Sequence, residues 1–232
     1  MIDSEKQKPL NALVNQILEN FYHEVRLPRM PVKIEFTSDL YSRRLELAKT
    51  DEEKRDVEDS KNFVEGLNGA VAFPSSVSEC PYILVSLSTI ETLQFVSTIT
   101  HELTHIHDYY GFILKEGLLS FADAQESLKF PMLYHWSEYN ATRNGYKFYR
   151  SFMISHQEDF SLDEQKTHIL KTEIPFQTQH LAEHLREHED NPTLFLYGIM
   201  RYLGRFSVWQ NTFPDCIDKS KFPKERKHWA YF

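Results

Sequence analysis

The residues best suited to chemistry in this sequence of 232 residues lie in the stretch "STITHELTHIHDYYGF" at 97–112. They are His101, Glu102 and His105. On an α-helix, side chains four positions apart leave the same face one turn apart, and Glu102 would flank that face. Imidazole nitrogens bind Zn²⁺, and a carboxylate beside them can accept a proton from water. The spacing therefore predicts a site for Zn²⁺ with the Glu102 carboxylate beside its two imidazole ligands.

The sequence around these residues predicts a helix with one buried side, called the motif helix below. Ser88 and Glu91 have the spacing of a capping box, so the helix is expected to run from about Thr89 to Tyr110 and to stop at Gly111. Apolar residues recur at three- and four-residue intervals behind the histidines. They are Ile90, Leu93, Val96, Ile99, Leu103, Ile106 and Tyr110.

A metal site in a hydrolase needs a third protein ligand, and Glu138 is the best candidate. It lies on the next strongly helical segment, which is expected to begin near Pro131. Ala141 and Gly145 follow on the same side, where small side chains allow close approach to the motif helix. His135, one turn before Glu138, also faces that side. It is an alternative third ligand, or a catalytic residue that donates a hydrogen bond to the reacting oxygen.

Other histidines and acids near the motif have weaker claims. Asp108 projects close to the ligand face, so it either supports a ligating imidazole or is a surface carboxylate. His107 points away and is expected to be structural. The pentapeptides "HLAEH" (180–184) and "HLREH" (184–188) match the inverted H-x-x-E-H motif, but their segment is crowded with charge. We expect a solvated surface helix there.

The remaining pattern predicts an α+β fold: a small mixed N-terminal sheet with the motif helix, followed by an all-helical C-terminal half. We expect one domain, 1–232, with an α/β lobe at 1–111 and a helical lobe at 112–232. The charged segment 39–62 is expected to be a solvated helix or a mobile excursion, and Thr50 and Glu53 have the spacing of a capping box there. Further helices are predicted at 10–25, 161–171, 176–189 and 193–209, the last after an Asn191 cap and Pro192. Strands are predicted at 32–36, 69–73 and 82–87, the last two forming a hairpin.

Bulk composition excludes several classes of protein. A net charge of −8 argues against a dedicated nucleic-acid binder. No run approaches the roughly 20 apolar residues that span a bilayer, and "MIDSEKQKPL" does not resemble a signal peptide. Cys80 and Cys216 are expected to be reduced thiols in a cytoplasmic protein. One basic cluster is expected to be a solvated tail. It consists of Lys219, Lys221, Lys224, Arg226 and Lys227.

Two strands, an H-E-x-x-H helix and a Glu-bearing helix together resemble the zincin metallopeptidases, in particular the gluzincins, over roughly residues 66–150. "HELTH" is also the pentapeptide of thermolysin-like enzymes, but Thr142 stands where that family has an Asp. The E-x-x-A pattern of Glu138 and Ala141 is more similar to the small ImmA/IrrE-type metallopeptidases.

The resemblance implies that His101, His105 and Glu138 hold zinc, while Glu102 polarises water and passes its proton to the leaving amine. It implies a peptide or protein substrate that pairs with the edge of the sheet, near 69–73. The tetrahedral oxyanion would need a further donor. The candidates are His135, Tyr139, Tyr146, Tyr197 and Tyr202.

Two other functions fit the same pattern. One is a catalytically inactive regulatory or binding protein that keeps the zincin fold and its metal, such as a protein of a mobile element. The other is a helical scaffold in which the motif arises by chance. The scaffold hypothesis requires Glu138 to lie far from His101 and His105.

Overall fold

The computed structural model describes residues 4–26, 29–61, 64, 66–74, 76–156 and 161–214. The fold is α+β, with a small mixed sheet in the N-terminal half and helices after it, as predicted. Cys216 and the basic cluster lie outside the described residues.

The strands are β1 (Lys33–Thr37), β2 (Gly69–Ala72) and β3 (Tyr82–Ser86). The helices are α1 (Ser4–Val25), α2 (Leu40–Leu47), α3 (Asp51–Asp59), α4 (Phe95–Glu116), α5 (Phe121–Glu126), α6 (Phe130–His156), α7 (Leu162–His168), α8 (Ile174–Glu187) and α9 (Pro192–Thr212).

The sheet has the order β1-β3-β2, so that β3 is central. β1 pairs with β3 in parallel and β2 pairs with it in antiparallel fashion, which confirms the predicted hairpin. Successive side chains of a strand point to opposite faces. Ile83 packs in the cluster that includes α1 and α4, whereas Leu84 packs against Leu40 of α2 on the other face. Both faces of the sheet are therefore covered by helices.

The motif helix, α4, buries the five residues of the predicted apolar stripe that it contains, whereas Ile90 and Leu93 precede it and are partly buried. Ile99, Leu103 and Ile106 are each 0% exposed and pack in the main core with Ile83 of β3 and Phe21 of α1. Complete burial of three such side chains contributes several kcal/mol, at about 1.5–3 kcal/mol each. The core therefore fixes the rotation of α4 and directs its histidines to the opposite side.

The predicted ends of the motif helix are wrong. Residues 87–89 form a short 3₁₀ turn capped by Ser86. Leu93 has a left-handed backbone conformation, with φ 58°, and separates this turn from α4, which begins at Phe95. The helix then continues through Gly111 to Glu116. It stops at Gly117, whose left-handed conformation lets its N–H bond to Ile113 O and Leu114 O. Ser88 and Glu91 therefore do not cap it.

Other boundaries differ in smaller ways. The helix predicted at 10–25 begins earlier, at Ser4. The charged segment at 39–62 contains two helices, and the second begins with the expected Thr50–Glu53 capping box. The helices predicted at 161–171 and 176–189 are joined by a π-helical turn, Ile169–Glu173. Helix α9 begins as predicted, with Asn191 accepting from the Leu194 N–H. None of the described helices is both long and apolar enough to cross a membrane.

Candidate metal centre

His101 and His105 of α4 and Glu138 of α6 converge on one point. The two histidine Nε2 atoms are 3.0 Å apart, and His105 Nε2 lies 3.4 Å from Glu138 Oε1. His101 Nε2 lies 3.9 Å from Glu138 Oε2. Two ligand atoms at zinc–nitrogen distance from one tetrahedral ion lie about 3.3 Å apart. The three side chains could therefore hold a metal ion.

The surroundings of Glu138 fit this use. Its Oε2 atom is buried and has no hydrogen-bond partner. A buried carboxylate oxygen without a partner is costly, and a cation removes that cost. The side chains of His105 and Glu138 are each 9% exposed, whereas that of His101 is 20% exposed. The group is thus enclosed on three sides and reaches solvent beside His101.

Small residues bring the two helices together, as the sequence predicts. A side-chain carbon at Gly145 would lie 2.8 Å from the Ser97 carbonyl oxygen and 3.2 Å from His101 Cβ. Ala141, one turn earlier on α6, is 0% exposed. Close approach at these two positions places Glu138 within reach of the histidines.

Ser137 lies behind His105. His105 Nδ1 lies 2.7 Å from Ser137 Oγ. Asn140 Nδ2 donates to both Asp108 oxygens, at 3.1 and 3.2 Å. Burial raises the pKa of Asp108 to about 6, and the side chains of Asn140 and Ser137 oppose that rise. With the proton of His105 on Nδ1, its Nε2 would present a lone pair towards the metal point. Sequence reasoning missed Ser137 because serine has no recognisable motif spacing.

The charge states of His101 and Glu138 suit a cation. Burial lowers the pKa of His101 to about 3, so its imidazole is neutral. Burial raises the pKa of Glu138, but His105 and His101 lower it by more, to about 2, so the carboxylate is ionised. Burial lowers the pKa of His105, but Glu138 raises it by more. Because a metal binds neutral imidazole, an ion would displace the proton that Glu138 favours on His105.

Glu102 is buried beside the ligands, at 8% exposure. Burial raises its pKa to about 7, and the charges of His105 and Arg44 oppose that rise. A buried carboxyl group with a raised pKa, next to a candidate metal point, has the character of a proton-transfer group.

Helix α9 supplies a tyrosine and an arginine on the same side of the molecule. Arg201 Nη1 donates to the Tyr197 hydroxyl at 2.8 Å, and the charge of Arg201 acts on His101, Glu102 and Glu138. Tyr197 is one of the predicted oxyanion donors. Arg201 was not predicted, because it follows the motif by about a hundred residues and no local pattern marks it.

Two other tyrosines predicted as oxyanion donors have hydroxyl partners elsewhere. The Tyr146 hydroxyl donates to Glu173 and accepts from Trp209 Nε1. The Tyr202 hydroxyl pairs with Thr178 Oγ1 at 3.1 Å. Tyr197 differs from these two tyrosines, because the charges of Glu138 and Glu102 at the metal centre act on it.

The other histidines occupy different environments. His135 does not belong to the three-residue metal group, and its Nδ1 is buried without a partner. His107 packs against the rings of Phe21 and Tyr22, which agrees with a structural role. The tyrosine ring of Tyr139, the fifth predicted donor, packs against Trp136.

The segment with inverted motifs is a surface helix, as predicted. Helix α8 has no buried residue, and His184 Nε2 donates to the Leu194 carbonyl oxygen at 2.7 Å. Within the described ranges, His101, His105 and Glu138 form the only cluster of three side chains arranged to hold a metal.

Comparisons of the chain with protein-family models, with curated proteins and with solved structures find no match. The resemblance to the zincins therefore rests on the residues themselves and stays a prediction.

Proposed function

We propose that the protein is a zinc-dependent metallopeptidase of the zincin class, with a ligand set of the gluzincin type and a second helix like that of the ImmA/IrrE-type enzymes. The observation that carries this proposal is the meeting of His101, His105 and Glu138 from two helices, with Glu102 buried beside them. A purely structural metal site has no need of the additional carboxylate.

Each residue has a role in peptide hydrolysis. A bound zinc ion would supply a Lewis acid that makes water a better nucleophile. Glu102 accepts the proton of the attacking water and returns it to the leaving amine. Tyr197 is the preferred donor to the oxygen that becomes negatively charged, and His135 remains the alternative. An extended substrate would add to the sheet at β2, which is an edge strand.

The substrate class in this proposal is a peptide or protein, and the proposed location is the cytoplasm. Cys80 is a free thiol, which agrees with a reducing compartment without requiring one.

Metal analysis and one conservative substitution test the function. The purified protein should contain about one zinc per chain, as a single site with three protein ligands requires. His101→Ala should lose the zinc, whereas His180→Ala in the exposed lookalike motif should keep it. Glu102→Gln should keep both zinc and fold but lose peptidase activity, measured by mass spectrometry of peptide mixtures. Full activity in Glu102→Gln would refute the proposed mechanism.

The burial of Glu102, His105 and Glu138, at 7–8% exposure, favours a second candidate function. In that alternative the protein keeps the fold and the metal but acts as a regulatory or binding protein. The same measurements separate the two: zinc in the wild type, with no cleavage of any peptide in a diverse mixture, supports the inactive protein.

A further inference from the structure

Arg201 is a partly buried cation near the metal centre that has no carboxylate partner among the residues the structure describes. Its Nη1 donates to the Tyr197 hydroxyl, and its guanidinium carbon lies 5.2 Å from the centre of the Tyr197 ring. Its Nε is buried without a hydrogen-bond partner. Among the described residues, the ion pairs within 4 Å do not include Arg201.

The carboxylates that act on Arg201 belong to the metal centre. Burial lowers the pKa of Arg201, but Tyr197, Glu138 and Glu102 raise it by more. A divalent cation held by Glu138 would offset the charge of that carboxylate, so less negative charge would then act on Arg201. A buried cation without a counter-charge is unstable and favours an anion from outside.

Two neighbouring arginines differ from Arg201 in the carboxylates that act on them. Arg205, one turn further along α9, has the carboxylate of Glu173 among its charged neighbours. Arg44 on α2 interacts with Glu102. Arg201, by contrast, is acted on by both Glu138 and Glu102 of the metal centre.

We propose that Arg201 binds a carboxylate of the substrate, so that the protein selects peptides with a negative charge close to the bond that is cut. The inference rests on the proposed function and adds the substrate class to it. A guanidinium offers two parallel N–H donors that match a carboxylate, and Tyr197 fixes its plane. The carboxylate can come from an acidic side chain or from the free C-terminus of a peptide.

Binding to an inactive protein tests this inference independently of cleavage. Zinc-loaded Glu102→Gln protein is incubated with three pools of random hexapeptides, and retained peptides are quantified by mass spectrometry. The first pool is blocked at both ends and contains Gln at one fixed position. The second has Glu at that position, and the third has the Gln but a free C-terminal carboxylate. The same pools are applied to proteins that also carry Arg201→Met, Arg201→Lys or the exposed control Arg186→Met.

We expect about tenfold greater retention of the second or the third pool than of the first, as a charge-assisted hydrogen bond gives. Whichever pool is enriched identifies the source of the carboxylate. Arg201→Met should abolish the preference for peptides with a carboxylate. Arg201→Lys should keep a part of it, because lysine retains the positive charge but not the two parallel N–H donors. Arg186→Met should not change it. Zinc content and melting temperature report whether each variant is folded.

Equal retention of the three pools overturns the inference, as does retention of none of them or a preference that survives Arg201→Met. Failure of the proposed function has a different signature. In that case zinc-loaded wild type cleaves no pool, whereas the Arg201-dependent retention of acidic peptides by Glu102→Gln persists.

Discussion

Ser137 shows how a single side chain can matter to a metal centre without touching the metal. It is 0% exposed, and its Oγ lies 2.7 Å from His105 Nδ1. A serine hydroxyl that accepts from Nδ1 favours the tautomer of His105 in which Nε2 can bind a cation. The imidazole is therefore oriented before any ion arrives.

Ser137→Ala should weaken metal binding about tenfold to a hundredfold, since partners behind a ligating histidine typically have effects of that size. The reason is that His105 loses the acceptor that fixes its ring and its proton. Competition with a chromophoric zinc chelator gives the affinity. Ser151→Ala, at an exposed position on the same helix, is the matched control and should leave the affinity unchanged. Equal affinities for all three proteins would contradict the assigned role of Ser137.

At the scale of elements, the contact between α4 and α6 decides whether the ligands meet. Gly145 lies against the Ser97 carbonyl and His101, while Gly204 of α9 lies against α6 at the Tyr139 carbonyl. Glycine at both contacts lets three helices pack backbone to backbone. Each helix then contributes to one centre: the histidines from α4, Glu138 from α6 and Arg201 from α9.

Gly145→Ala and Gly111→Ala should have opposite effects on stability. At Gly145 the new methyl group would lie 2.8 Å from a backbone oxygen, so we expect unfolding free energy to fall by about 1–3 kcal/mol. At Gly111, where the methyl meets nothing within 4 Å, alanine should stabilise α4 by about 0.5–1 kcal/mol. Urea unfolding of both variants measures the difference. The same sign of change in both would mean that helix propensity, not close packing, governs position 145.

For the whole molecule, a bound metal would tie the two halves together, because its ligands come from the motif helix beside the sheet and from α6 of the helical half. His105 and Glu138 are 33 positions apart in sequence, and the sheet contributes no ligand. The ion would therefore stabilise the contact between the halves and not the sheet itself.

Removing zinc with a chelator should lower the melting temperature by about 5–10 °C. Free zinc at 100 times the dissociation constant adds about 2.7 kcal/mol to the stability of the folded state. For a chain of this size, 1 kcal/mol corresponds to about 2–4 °C. Thermal unfolding with zinc and with chelator measures the shift, and Glu138→Gln should respond much less. A wild-type melting temperature that is identical under both conditions would argue against zinc bound between the helices.

Local rules within the sequence predicted much of this protein. Apolar spacing predicted the buried side of α4, alternation and turn residues predicted β2 and β3, and Asn191 with Pro192 predicted the start of α9. The ends of α4 were wrong because a left-handed Leu93 separates the Ser88 turn from the helix, and because Gly117, not Gly111, has the left-handed conformation that ends it. Such boundaries depend on contacts beyond the segment itself.

The sequence by itself determined that His101, Glu102 and His105 share one side of a helix, because helical periodicity and a buried stripe leave no other arrangement. It left the choice between Glu138 and His135 open, since both lie on the approaching side of the next helix. Only the tertiary structure brought Glu138 to the histidines, linked Ser137 to His105 and placed Arg201 near them. These contacts depend on how helices distant in sequence pack against one another, which spacing along a chain does not encode.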